Sequence, residues 1–121
     1  MSVSDALMNP EVRKHVEAIY KSRTEAAIVS TGGGARALSW LLSVPGASRT
    51  ILDIHVPYSE GSLVELLGKS PINFVSADTS RRLAEIAYLK AIRLGSGGSV
   101  IGVGSTSAIS TDREKKGRHR C

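Results

Sequence analysis

Two hydroxyls, Ser30 and Thr31, stand directly before the glycine run Gly32, Gly33 and Gly34. Three chemistries fit such a stretch. A hydroxyl at a strand-to-helix elbow can attack a carbonyl. Backbone N–H groups beside glycines let a phosphate or carboxylate approach closely at a helix start. The glycines can also simply make a tight turn. The lysine of a Walker loop, the G-x-G-x-x-G spacing of a dinucleotide turn and the G-x-S-x-G pattern of a nucleophile elbow are all missing here.

Asp53 and His55, two residues apart, invite a Ser-His-Asp reading with Ser30. Side chains at i and i+2 of a strand project in parallel, whereas a triad needs the carboxylate at the side of the imidazole. The pair therefore points away from a triad. Two more hydroxyl-rich stretches complete the inventory: Tyr58-Ser59 in "PYSEG" and Thr106-Ser107 in "GSTSA".

These stretches need elements to hold them. Asn9 before Pro10 starts a helix, because Asn can cap free N–H groups and Pro suits the first helical position. Val12, Val16, Ile19 and Tyr20 give that helix one apolar face down to about Ser22. "EAAIVST" reads as a buried strand that runs straight into the glycines. Ala35, Leu38, Leu41 and Leu42 then keep helical spacing until Pro45-Gly46 stops the element. "RTILDIHVPY" alternates, with Leu52, Ile54 and Val56 on one face and Ile51, Asp53 and His55 on the other. A short helix is expected from about Glu60 to Leu67. Ser76 opens a longer one with an inward stripe of Leu83, Ala87, Ala91 and Leu94 and with Arg81, Glu85 and Lys90 facing water, stopped by Gly95. "GSVIGVGSTSAIST" reads as a last buried strand.

Alternating strands and helices predict an α/β layered fold with a mainly parallel sheet. Ligands bind such sheets beyond the carboxyl ends of the strands. All three hydroxyl-rich stretches fall there.

Composition narrows the classes. The chain has 121 residues, enough for one domain, read as 1–111 with a basic tail at 112–121. Apolar runs are too short for a membrane span and no signal pattern opens the chain, which predicts a soluble, cytoplasmic protein. One cysteine, Cys121, leaves no zinc pattern or internal disulfide, and no metal or cofactor is expected. The net charge of +5 is mostly local, since five basic residues and one acidic lie between Arg113 and Cys121. A tail of that kind with a single Phe and a single Trp in the chain does not make a nucleic-acid-binding module, although that is the remaining alternative.

With these elements placed, the chain resembles the C-terminal domain of the CinA family, the nicotinamide mononucleotide deamidases. "STGGGARAL" resembles that family's E-S-C-T-G-G loop and helix, and "VPGAS" its P-G-A/S-S turn. "PYSEGSLVELLG" is similar to its T-Y-S-N-x-x-K-x-x-L-L-G segment, and "VSADTSRRLAEIAYLKAIRLG" to its V-S-x-E-x-A-x-x-M-A-x-G-A helix. The order and spacing agree from about Pro10 to Thr111. The resemblance implies a three-layer α/β/α sandwich and metal-free hydrolysis of a nicotinamide amide with release of ammonia. It places phosphate and ribose among Thr31, Gly32, Gly33 and Gly34, Tyr58 and Ser59, and Thr106 and Ser107.

The departures reshape what it implies. In the register set by the glycines, the family's nucleophilic serine falls on Val29, its next two residues on Ser30 and Thr31, and its lysine on Leu63. Valine has no atom to attack a carbonyl and leucine cannot take a proton, so the inherited chemistry cannot run. The expectation is a catalytically degenerate domain that binds a nucleotide-like or anionic small molecule, or a protein partner. The rival is an active amidohydrolase with Ser30 or Thr31 as nucleophile. The family continues with another strand and helix, so the chain resembles a shortened member or a piece. Eukaryotic members place a similar degenerate domain before a nucleotidyltransferase-like one. An unfinished sheet would expose an edge and favour pairing of copies.

Overall fold

A computed structural model of the protein describes residues 8–108. The basic tail at 112–121, with Cys121, lies outside the described residues. The element order is α1 (Pro10–Lys21), β1 (Glu25–Thr31), α2 (Ala35–Ser43), α3 (Ala47–Thr50), β2 (Ile51–His55), α4 (Glu60–Leu67), α5 (Ala77–Leu94) and β3 (Val100–Thr106). The three strands form one open sheet in the order β2-β1-β3, with both pairings parallel. The architecture is a mixed α/β one, compatible with an α/β sandwich.

Helix starts follow side-chain chemistry. Asn9 accepts the Glu11 N–H at 2.8 Å, and Pro10 takes the first position of α1. Ser59 Oγ accepts from Ser62 N and Ser76 Oγ from Thr79 N, each at 3.1 Å, which fixes where α4 and α5 begin. Gly34 and Gly46, with φ of 98° and 107°, start α2 and α3 without a side-chain cap.

The main core joins Ala27 and Val29 of β1 to Leu63 and Leu67 of α4 and to Leu83, Ala87 and Ala91 of α5. Closest approach is between α5 and β3. A Cβ on Gly102 would lie 2.2 Å from Tyr88 N and 2.4 Å from the Ala84 carbonyl oxygen, and one on Gly104 would lie 2.3 Å from the Ser80 carbonyl oxygen. The helix backbone therefore rests on the strand backbone, with no room for a methyl group. A second, smaller cluster of Met8, Val16 and Val44 lies between α1 and α2, with Tyr20, Trp40 and Leu41 packed against it. The short α3 connects that cluster to β1 and β2.

Several expectations shift. Arg49 and Thr50 belong to a helical turn, because the Arg49 N–H bonds back to the Gly46 carbonyl, and β2 begins only at Ile51. Leu94, expected inside, is 46% exposed at the last turn of α5. Lys90, expected in water, pairs with Asp53 at 2.9 Å and ties α5 to β2. Leu42 is 58% exposed, since α2 sits at the periphery. Among the described residues the outer edge of β3 pairs with no strand, and its Ile101 and Val103 face away from α5 and stay exposed.

Gly102→Ala and Gly104→Ala should each cost about 3 kcal/mol or more, since backbone must move to admit the methyl group. Gly98, with nothing within 4 Å of a built Cβ, should tolerate alanine to within ~0.5 kcal/mol. Urea unfolding followed by circular dichroism measures both. Equal losses at Gly98 and Gly102 would show that backbone contact is not what the strand glycines serve.

Candidate functional site

Beyond the carboxyl ends of the strands lies a cleft of about 330 Å3. Thr31 and Gly32 from the end of β1 and Thr106 and Ser107 from the end of β3 form one side. Tyr58, Ser59 and Glu60 at the start of α4 form the rim. Leu63 of α4, with Phe74 and Val75 from the loop before α5, makes an apolar wall. Six of the eight residues expected at a ligand site, Thr31, Gly32, Tyr58, Ser59, Thr106 and Ser107, thus meet in one place.

Gly33, Gly34 and Ser30 are not part of the lining. Parity explains Ser30: in β1 it points to the face opposite Val29 and Thr31. It is 5% exposed, and its hydroxyl makes no hydrogen bond among the described residues. The same parity breaks the triad. Asp53 and His55 align with Ala27 and Val29, whose side chains face α4 and α5, so Ser30 lies across the sheet from both.

The glycine run has a steric cause. A Cβ on Gly32, at φ of 84°, would sit 1.9 Å from the Ser107 carbonyl oxygen. Only glycine lets the ends of β1 and β3 meet there, where Ser107 N donates to the Thr31 carbonyl at 3.1 Å. Gly34 takes the left-handed cap of α2. Neither position needs an anion to account for it.

The hydroxyls in the cleft are largely engaged. Thr31 Oγ1 donates to the Pro57 carbonyl at 2.7 Å, and Thr106 Oγ1 to the Phe74 carbonyl at 2.8 Å. A peptide carbonyl is not a base, so it orients the Thr31 proton without removing it. Ser59 Oγ already caps α4, and Glu60 in its first turn complements the helix dipole. Among the lining residues Glu60 carries the one charge, and it is negative. The expected anion-binding inventory is therefore reduced, and the cleft better accommodates an uncharged or cationic ring with a polar edge.

Val29 is 1% exposed in the core and Leu63 3% exposed in the wall, so both positions are built as hydrophobic packing. Sequence reasoning missed Glu60, Phe74 and Val75. The signal was present in Phe74, the chain's single phenylalanine, placed two residues before the Ser76 cap. Among the described residues no three His, Cys, Asp or Glu side chains come together as a metal site, and no helix is long and apolar enough to cross a membrane.

Fold and cleft together define an open parallel α/β domain with a mixed apolar and hydroxylic cleft at its strand ends. Comparison of the chain with protein families, curated proteins and solved structures finds no match.

Thr31→Val should cost about 1–3 kcal/mol by leaving the Pro57 carbonyl unpaired, whereas Thr31→Ser should retain most of that stability. Thermal and urea melts of both variants test this. A loss in Thr31→Ser with none in Thr31→Val would assign the effect to the methyl group and not to the hydrogen bond.

Proposed function

We propose that this chain is a CinA-like domain that binds a nucleotide-like small molecule at the strand-end cleft without turning it over. One observation carries this reading: Thr31, the single reactive hydroxyl from the glycine motif in the cleft, donates to a backbone carbonyl, and the cleft holds Leu63 at the position where the resemblance would put a lysine. The resemblance of "STGGGARAL", "PYSEGSLVELLG" and the helix from Ser76 to a nicotinamide nucleotide family supplies the ligand class. The heterocycle would lie against Leu63, Phe74 and Val75, with its polar edge toward Thr106 and Ser107. Phosphate would extend away from Glu60, past the rim. This orientation follows from the wall being apolar and the rim acidic.

The exposed edge of β3 favours a second feature of the same reading, association of two copies. Among the described residues the edge groups beside Ile101 and Val103 pair with no strand, and such groups form a template for another one. In a larger chain, a nucleotidyltransferase-like domain is the fused partner that the family resemblance supports.

Nicotinamide mononucleotide or its riboside at 100 times the dissociation constant should stabilise the domain by about 2.7 kcal/mol. No ammonia should be released, and Val75→Trp should remove the stabilisation by filling the cleft. Turnover that disappears in Ser30→Ala or Thr31→Ala would overturn the non-catalytic reading. Sedimentation equilibrium should find a dimer that Val103→Lys converts to monomer. A monomer at high concentration would remove the edge-pairing feature.

A further inference from the structure

We propose that the opposite, amino-terminal end of the sheet carries a second site, a basic cleft that binds the phosphoryl group of a small phosphorylated molecule. The cleft is about 420 Å3 and lies where α1 turns into β1 and α3 into β2. Lys21 from the last turn of α1, Arg23 from the connecting turn and Arg49 from α3 all line it. Among the described residues none of these three cations forms an ion pair or a hydrogen bond. Like charges gathered around one concavity repel, and an anion between them relieves that repulsion.

The one carboxylate in the cleft is already committed. Glu25 Oε1 accepts from both the Ser96 N–H and the Ser96 hydroxyl at 2.8 Å each. Those bonds hold its carboxyl below the ordinary range, so it stays ionised and attached to Ser96 without pairing with an arginine.

One observation marks the place as built for a ligand. Thr50 lines the cleft at 3% exposure, and its hydroxyl makes no hydrogen bond among the described residues. Buried hydroxyls ordinarily have partners, and a phosphoryl oxygen is a strong acceptor for this one. Arg23 is the one described non-glycine residue with a positive φ, 61°. A long side chain in that region is strained where glycine or asparagine would be relaxed, and the left-handed turn itself is the ordinary one that follows the Ser22 C-cap of α1. Two guanidinium forks and an ammonium suit a tetrahedral oxyanion better than a single carboxylate. The volume exceeds one phosphate and accommodates a diphosphate, or a monophosphate with a small organic group beside the Tyr20 ring.

Sodium pyrophosphate is the probe, titrated into the full 121-residue chain by calorimetry at low ionic strength and followed by amide chemical shifts. Saturable binding should move the amides of Glu25, Thr50 and Ser96 while leaving Gly32 and Ser107 in place. Arg49→Ala and Arg23→Gly should each weaken binding about tenfold, the size of one charge-assisted contact. Arg23→Gly should at the same time raise the Tm, since glycine suits the left-handed turn. Glu25→Gln, which keeps an acceptor for Ser96 but removes the charge, should tighten binding. Shifts confined to residues 109–121, or affinity unchanged in both arginine variants, would overturn the proposal. So would a short single-stranded oligonucleotide that binds this cleft when pyrophosphate does not.

Discussion

The contact on which the rest of the molecule depends is backbone against backbone, where α5 lies on β3 over Gly102 and Gly104. Glycine in a strand weakens it locally, because it supplies no side chain and adds chain entropy to the unfolded state. That cost is offset by the approach it permits. With no Cβ between them, helix and strand bring Leu83, Ala87 and Ala91 down onto the sheet, and all three are fully excluded from water. Leu83 contributes roughly 2 kcal/mol by burial and each alanine less, so much of the cohesion comes from dense packing of small groups.

Fixing β3 in this way also fixes the cleft. Thr106 and Ser107 follow Gly104 by two and three residues, so their position is set by the helix contact. Ser107 then bonds the end of β1, and Gly32 gives it room. Thr31 and Thr106 act as struts, each hydroxyl holding the loop above its strand by a carbonyl. A nucleophilic hydroxyl needs a proton acceptor that can become charged, and these have amide oxygens. The groups that give the cleft its shape are thereby withdrawn from chemistry.

This division explains what was legible in the sequence. The caps Asn9 and Ser76 are read correctly because each acts on N–H groups within its own first turn. The three strand ends converge because parallel strands bring their carboxyl ends to one side. The β3 glycines were opaque, since their reason is a helix backbone about twenty residues away in sequence. Lys90 was misplaced for a similar cause: helical periodicity points it outward, but a long side chain reaches across to Asp53. Glu60 and Phe74 escaped because an acidic first turn and a lone aromatic each have an ordinary local explanation, and only the folded cleft brings them together.

The two ends of the sheet are electrostatically unlike, and this bears on how such a domain could be used. At the carboxyl end the cleft has an apolar wall and one acidic residue, while at the amino end three cations, unpaired among the described residues, line a cleft with a carboxylate bonded to Ser96. In a parallel sheet the helix N-termini that usually attract phosphate gather at the carboxyl end. Here those termini are satisfied by Ser59 and Glu60 or, at α2, begin outside the cleft. Anion recognition has accordingly passed from backbone dipoles to side-chain charge, at the other end of the same strands. Side-chain charge does not require a glycine turn, so the motif that first suggests a phosphate site and the residues best suited to hold one need not coincide.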